Sequence, residues 1–178
     1  MFAARKMVQA RGYNSLSFRE LGKEVGIKSA SIHYHFPTKG DLGAALAKRY
    51  TEDGRVYLAS LVEGSNEPGV WIKGYTDIFR MALVDDNRMC LCGIMAAEYD
   101  DLPDEVRVEV DGFTDVNVRW LSDVLAVSRP ELEKDEQLNQ ALAIYAAVEG
   151  AQLISRGRGD IAVYDNTIET YRRAGLLP

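Results

Sequence analysis

The sequence predicts an all-α protein, with an N-terminal three-helix head containing a helix-turn-helix and a larger helical body. Three observations carry this expectation. Ser17 stands three residues before Glu20, and Thr38 three before Asp41, so two helix-opening capping boxes flank the glycine turn at Gly26-Ile27. Beyond them, segments with apolar residues at helical spacing are separated by Gly, Pro, Asn and Asp breaks. Charge is segregated as well: residues 1–50 hold nine Lys or Arg against three Asp or Glu, a net +6, while the rest hold 12 against 24, a net -12. A basic head suits a polyanion, and an acidic body discourages nonspecific wrapping of nucleic acid.

The first helix can occupy only Phe2 to Arg11 before the Gly12-Tyr13 turn. The second starts at the Ser17 cap and carries Phe18, Leu21 and Val25 on one side. Gly26 supplies the left-handed exit, after which Ile27 is expected to tuck between two helices. Lys28 or Ser29 caps the third helix, which runs through Ser31 and Ile32 to His35 and stops at Phe36-Pro37, because proline disfavours helix in the residue before it. Thr38 then opens a fourth. Lys39 in its first turn opposes the macrodipole, which is more easily understood if an anion such as a phosphate lies nearby; the plain alternative is a lysine facing solvent.

Phe18, Leu21, Gly26-Ile27, Ser31-Ile32, His35-Phe36, Lys39 and Leu42 together resemble the DNA-binding domain of the TetR family of transcriptional repressors. The resemblance is close over roughly the first quarter of the chain and rests on the helical layout beyond it. It implies a DNA-binding domain at 1–45 and a ligand-binding and dimerisation domain at 46–178. Helix-turn-helix geometry then makes Ser29, Ala30, Ser31 and His33 candidates for base edges and Lys28, Tyr34 and Lys39 for phosphates. Two features depart from the family. The first helix is short or truncated and lacks a basic arm, and Lys28 stands where a serine cap is common.

From Asp41 to about Leu61 a long helix carries Leu42, Leu46, Tyr50, Tyr57 and Leu61 near one face and would connect head to body. Glu63 to Gly69 reads as a loop, and Val70 to Val84 as the next helix. Its Trp71, Tyr75 and Phe79 are ordinary core by spacing alone; the family resemblance implies instead that the middle helices enclose an inducer, lined by Trp71, Tyr75, Phe79, Met95, Phe113 and Trp120. Asp85-Asp86-Asn87 is a polar turn before an apolar helix at Ile94 to Tyr99. Pro103 is expected as the first residue of a helix to about Val127, whose apolar stripe includes Val106, Val110, Phe113, Trp120, Leu121 and Val124.

Cys90 and Cys92, the two cysteines, admit two readings. They are buried apolar side chains, or sensor thiols. A helix N-terminus and Arg88 would favour thiolate at Cys90, and the run CLCGIMAAEY resembles a branch of the TetR repressors that senses electrophiles through a cysteine here. A metal site is not expected, since four ligands cannot be assembled, and no cofactor is implied.

The last two helices, about Glu133 to Arg156 and Ile161 to Ala174, reverse through Gly157 to Asp160. An antiparallel pair with apolar surface left over can meet its own copy as a four-helix bundle, as the family does. Leu138, Leu142, Tyr145, Val148, Ile161, Tyr164, Ile168 and Tyr171 are the residues expected at that face.

No apolar run approaches the roughly 18 to 20 residues needed to cross a bilayer, and no signal peptide is evident, so a soluble cytoplasmic protein is expected. No Glu-x-x-His pair, G-x-S-x-G or Cys-His-Asp neighbourhood supports an enzyme on a helical bundle. The expected function is that of a ligand-responsive DNA-binding regulator, a repressor by resemblance. Its partners would be a second copy, a near-palindromic duplex operator and a small effector; the alternatives are thiol sensing through Cys90 and, further off, catalysis.

Overall fold

The structure is a computed structural model describing residues 1–178. The elements are helical throughout: α1 (Phe2–Arg11), α2 (Phe18–Val25), α3 (Ser29–His35), α4 (Lys39–Gly64), α5 (Pro68–Val84), α6 (Leu91–Ala96), α7 (Asp104–Ser128), α8 (Lys134–Arg158) and α9 (Ile161–Arg173), with single 3-10 turns at Tyr13–Ser15 and Tyr99–Asp101. No helix is long and apolar enough to cross a membrane.

Two compact units result. One combines Met1–Asp53 with Cys90–Phe113, and the other Gly54–Met89 with Thr114–Pro178. Compactness thus does not follow the 45/46 boundary read from the sequence.

In the first unit Ala4, Val8, Leu21, Ile32, Leu42 and Leu46 are buried together with Leu91, Met95, Val106 and Val110. The Ser17 side chain caps α2 by accepting from the Glu20 N–H at 3.4 Å. The Glu20 carboxylate does not return the bond; it pairs with Lys23 at 3.0 Å and Arg19 at 3.1 Å, which holds it below the usual carboxylate range, the Lys23 hydrogen bond contributing most. At the start of α4 the exchange is complete: the Thr38 N–H donates to Asp41 Oδ2 at 2.9 Å and the Asp41 N–H to Thr38 Oγ1 at 3.0 Å. Ser17→Ala should therefore cost about 1 kcal/mol in a denaturant titration, since the N–H it satisfies has no other intrahelical partner.

The second unit packs α5, α8 and α9 around Ile72, Tyr75, Ile144, Val148, Tyr164 and Ile168, all buried. Two side chains bind α5 carbonyls from inside that packing. The Tyr164 hydroxyl donates to Thr76 O at 2.8 Å, and the Gln152 amide donates to Phe79 O at 2.7 Å. Burial pushes the Tyr164 phenol far up, with Glu149 adding to it, so it remains a donor at any physiological pH. At the surface Arg80 clasps Asp165 through two bonds of 2.7 and 2.9 Å.

Several boundaries differ from the sequence expectation. The loop expected over Glu63 to Gly69 shrinks to residues 65–67, because α4 runs to Gly64 and Pro68 opens α5. The Trp71 indole donates to Ser65 O at 2.7 Å and closes that short connection. Pro103 lies one position before α7, its carbonyl accepting from Val106 at 2.9 Å. The apolar helix expected at Ile94 to Tyr99 starts earlier, at Leu91, and gives way to the 3-10 turn at Tyr99. The reversal before α9 needs only left-handed Gly159 and the Asp160 cap.

Candidate nucleic-acid interface

Helices α2 and α3 meet across a turn that uses two glycines. Gly26 takes the left-handed conformation, φ 72°, and its neighbour Ile27 donates its N–H to Gly22 O at 2.9 Å. A side chain at Gly22 would bring its Cβ to 2.7 Å from Ile27 O, so the close approach of the turn to α2 requires glycine there too. The sequence reading missed Gly22, although its place four residues before Gly26 was a signal.

The turn also corrects two expectations. Ile27 does not tuck between helices but is 49% exposed, and Val25 does not share the covered side of Phe18 and Leu21 but is 47% exposed. With the Ile27 carbonyl lying over Gly22, its side chain is left facing outward. Val25 stands in the last turn of α2, beyond the part of that helix that α3 covers.

Helix α3 is presented rather than enclosed. Ile32 is its one buried residue; Lys28, which precedes it, and Ala30, Ser31, His33, Tyr34 and His35 are exposed, with Ser29 half-buried. Lys28 occupies the cap position without a side-chain cap bond, so of the two candidate caps neither Lys28 nor Ser29 supplies one. His33 stands edge-on against Phe18, ring centroids 4.1 Å apart, which fixes the imidazole while leaving it accessible. Tyr34 is 84% exposed and rests its ring edge-on with His35 at 5.3 Å. Apart from that ring contact, Tyr34 is left to solvent.

Lys39 is half-buried. Its ammonium donates to Asn14 O at 3.2 Å and lies 4.5 Å from the centroid of the Tyr13 ring. Burial lowers its pKa, and Glu98 partly offsets that. The solvent-facing alternative is thereby set aside: the lysine braces the start of α4 against the turn after α1.

The residues expected around an effector fall into two groups. Tyr75 stacks on Trp120 with centroids 5.4 Å apart and lies 5.3 Å from Phe79, and Trp71 is buried in the same unit. The indole N–H of Trp120 is buried without a hydrogen-bond partner. Met95 and Phe113 belong to the other unit, where Phe113 lies 5.3 Å from Tyr50.

Both cysteines are buried to 1% exposure, and Tyr50 shares a hydrogen bond with Cys90. The Arg88 guanidinium, which the sensor reading placed beside Cys90, is bound by Asp85 and, at 3.2 Å, by Asp86. The burial of both cysteines is what the core reading requires, whereas a reactive thiol needs access.

Half of the face expected for dimerisation is internal. Tyr145, Val148, Tyr164 and Ile168 are 9%, 0%, 1% and 4% exposed within a single chain, so they serve the contacts of α8 and α9 with α5. Leu138, Ile161 and Tyr171 are half-buried. What α8 leaves outward is Leu142, Leu153 and Ile154, each at least 50% exposed, with Ala143 and Ala146 exposed between them. Leu142, Ala146 and Leu153 follow one another at intervals of four and seven, and Ala143 and Ile154 lie eleven apart, so all five share one side of the helix. Periodicity alone could not say which of two apolar sides faced inward.

Residues 2–46 match the family described as bacterial regulatory proteins, tetR family. The transcriptional regulator AcuR of Cereibacter sphaeroides is 30% identical over 105 residues, 57% of this chain and 48% of that protein, so the match spans about half the length of that curated relative. A TetR transcriptional regulator from Legionella pneumophila superposes with a TM-score of 0.90 at 29% identity, covering 97% of this chain and 93% of that one. A TetR-family regulator from Agrobacterium tumefaciens gives 0.88 at 29% identity over the same shares.

Proposed function

We propose that the chain is a tetR-family regulator, as the match of its residues 2–46 and the likeness of its whole fold to such regulators support, and that it is a ligand-responsive, sequence-specific DNA-binding repressor. It works in the cytoplasm as a homodimer on a near-palindromic duplex operator, and a small molecule releases it. The observation that carries the reading is α3, whose residues, buried Ile32 and half-buried Ser29 apart, are left uncovered on a head of net charge +6. Residues 1–45 have the role of reading DNA, and 46–178 those of binding the effector and dimerising.

Ser29, Ala30, Ser31 and His33 face base edges, while Lys28, Tyr34 and Lys39 bind or position phosphates. The effector is held noncovalently beside Tyr75, Phe79 and Trp120, with Trp71 near, where flat apolar faces and one unpaired indole N–H suit a small molecule with an acceptor atom. Effector and operator oppose each other by linkage: whatever factor the effector takes from DNA affinity, DNA takes from effector affinity. Binding, rather than turnover, is the activity.

The test is a titration against the DNA upstream of its own coding region at several salt concentrations. Tight binding to a near-palindrome, weakening steeply with salt, is expected. In the same assay His33→Ala should cost about 1 to 3 kcal/mol and relax preference at one base pair, whereas Lys39→Ala should weaken all sequences and lower the salt slope by about one unit. If Lys39→Ala altered sequence preference alone, its assignment to phosphate would fall.

A further inference from the structure

The turn after α1 is gripped from two sides, and the grip involves backbone rather than side-chain surface. Gly12 closes α1 at φ 83°, and the next two N–H groups, of Tyr13 and Asn14, point away from the helix with no carbonyl of their own to meet. Both are taken by one carboxylate. Glu98, just after α6, accepts from the Tyr13 N–H through Oε2 and from the Asn14 N–H through Oε1 at 3.4 Å. Asp101 adds a bond of 2.8 Å from the Asn14 side chain.

From the other side Lys39 donates to Asn14 O at 3.2 Å and covers the Tyr13 ring. That ring is packed so closely on α4 that a Cβ at Gly43 would lie 2.6 Å from it. Two adjacent residues therefore tie α1, α4 and the segment after α6 together, immediately before α2 begins. Each tie belongs to the same compact unit.

We propose that Glu98 is a positioning residue for DNA recognition: its bidentate hold on the Tyr13 and Asn14 N–H groups fixes the turn from which α2 and α3 are hung. The proposal rests on the DNA-binding reading above, and its sign is unusual. A carboxylate packed in the same unit as a DNA-binding head repels phosphate, so by charge alone its removal should strengthen binding to every sequence. As a latch, its removal loosens the helix pair and weakens binding to the specific site.

Asp111 supplies the control, being an exposed carboxylate of the same unit with no part in the latch. Glu98→Gln and Asp111→Asn remove equal charge. Both should bind nonspecific DNA somewhat more tightly than the native protein, but Glu98→Gln should bind the specific upstream site about tenfold more weakly, a loss of the size expected when a charge-assisted bond is replaced by a neutral one. Loss of folded protein would lower both kinds of binding together, and a thermal melt measures that contribution. Equal behaviour of the two variants on both DNAs would overturn the proposal.

Amide exchange reads the latch without DNA. Exchange at Tyr13 and Asn14 should quicken about tenfold in Glu98→Gln and stay native in Asp111→Asn. Gly12→Ala gives a second approach, because its Cβ would lie 2.4 Å from Glu98 Oε2 and must displace the carboxylate. It too should quicken exchange at both amides. Unchanged exchange in both Glu98→Gln and Gly12→Ala would end the latch, whereas a native protein that finds no specific site would end the repressor reading and leave the exchange result to judge the latch.

Discussion

Leu153→Asp should convert the protein from dimer to monomer and reduce operator affinity by at least about 100-fold. Leu153 is 57% exposed on α8, in line with Leu142 at 50% and Ile154 at 58%. Alone, such a stripe leaves apolar surface in water; paired across a twofold axis, small Ala143 and Ala146 let two α8 helices approach while the larger side chains interdigitate. A carboxylate in that stripe would have to be buried unpaired, which costs several kcal/mol and outweighs the apolar gain. Operator binding suffers because two linked heads bind as one. Once the first head is seated, the second is presented at high effective concentration, and a monomer forfeits that factor. Sedimentation and DNA titration of the same sample test both halves. A variant that still sediments as the native dimer would move the interface elsewhere.

Ile32→Ala should be the most damaging change within the head. Ile32 is 6% exposed and is the only buried residue of α3, so the helix has no other apolar side chain to hold it down. Truncating a buried isoleucine to alanine costs about 2 to 5 kcal/mol, and a seven-residue helix has no independent stability with which to absorb the loss. Detachment of α3 should appear as fast amide exchange confined to residues 29–35, and specific DNA binding should vanish while α8 and α9 keep native exchange. Native operator affinity in this variant would mean that α3 is not the element that reads DNA.

Much of the head was legible in the sequence because its signals are local. The Ser17 and Thr38 caps, the left-handed Gly26 and the stop at Phe36-Pro37 each act within four or five residues, and α1 and α3 end where those signals place them. Resemblance across the same stretch pointed to the family whose model residues 2–46 match, since those spacings encode one turn geometry. Helix limits in the body were legible to within a few residues for the same reason, Gly159 and Asp160 being plain stop and start marks.

What escaped were choices that depend on distant partners. Tyr145, Val148, Tyr164 and Ile168 have the spacing of an interface seam, yet α5 lies over them and leaves Leu142, Leu153 and Ile154 outward. Arg88 is two residues from Cys90 in sequence, but Asp85 and Asp86 hold its guanidinium. Glu98 reads as one acid in an acidic run and nothing marks it as the partner of N–H groups 84 and 85 positions earlier. The sequence by itself determined where helices start and stop to within a few residues, which end is basic and which family the head resembles, because caps, glycine conformations and net charge are properties of short segments. Tertiary structure alone decided which apolar face is core, which is left in solvent and which carboxylate holds the turn before α2, because burial and hydrogen-bond satisfaction are settled only when remote elements meet.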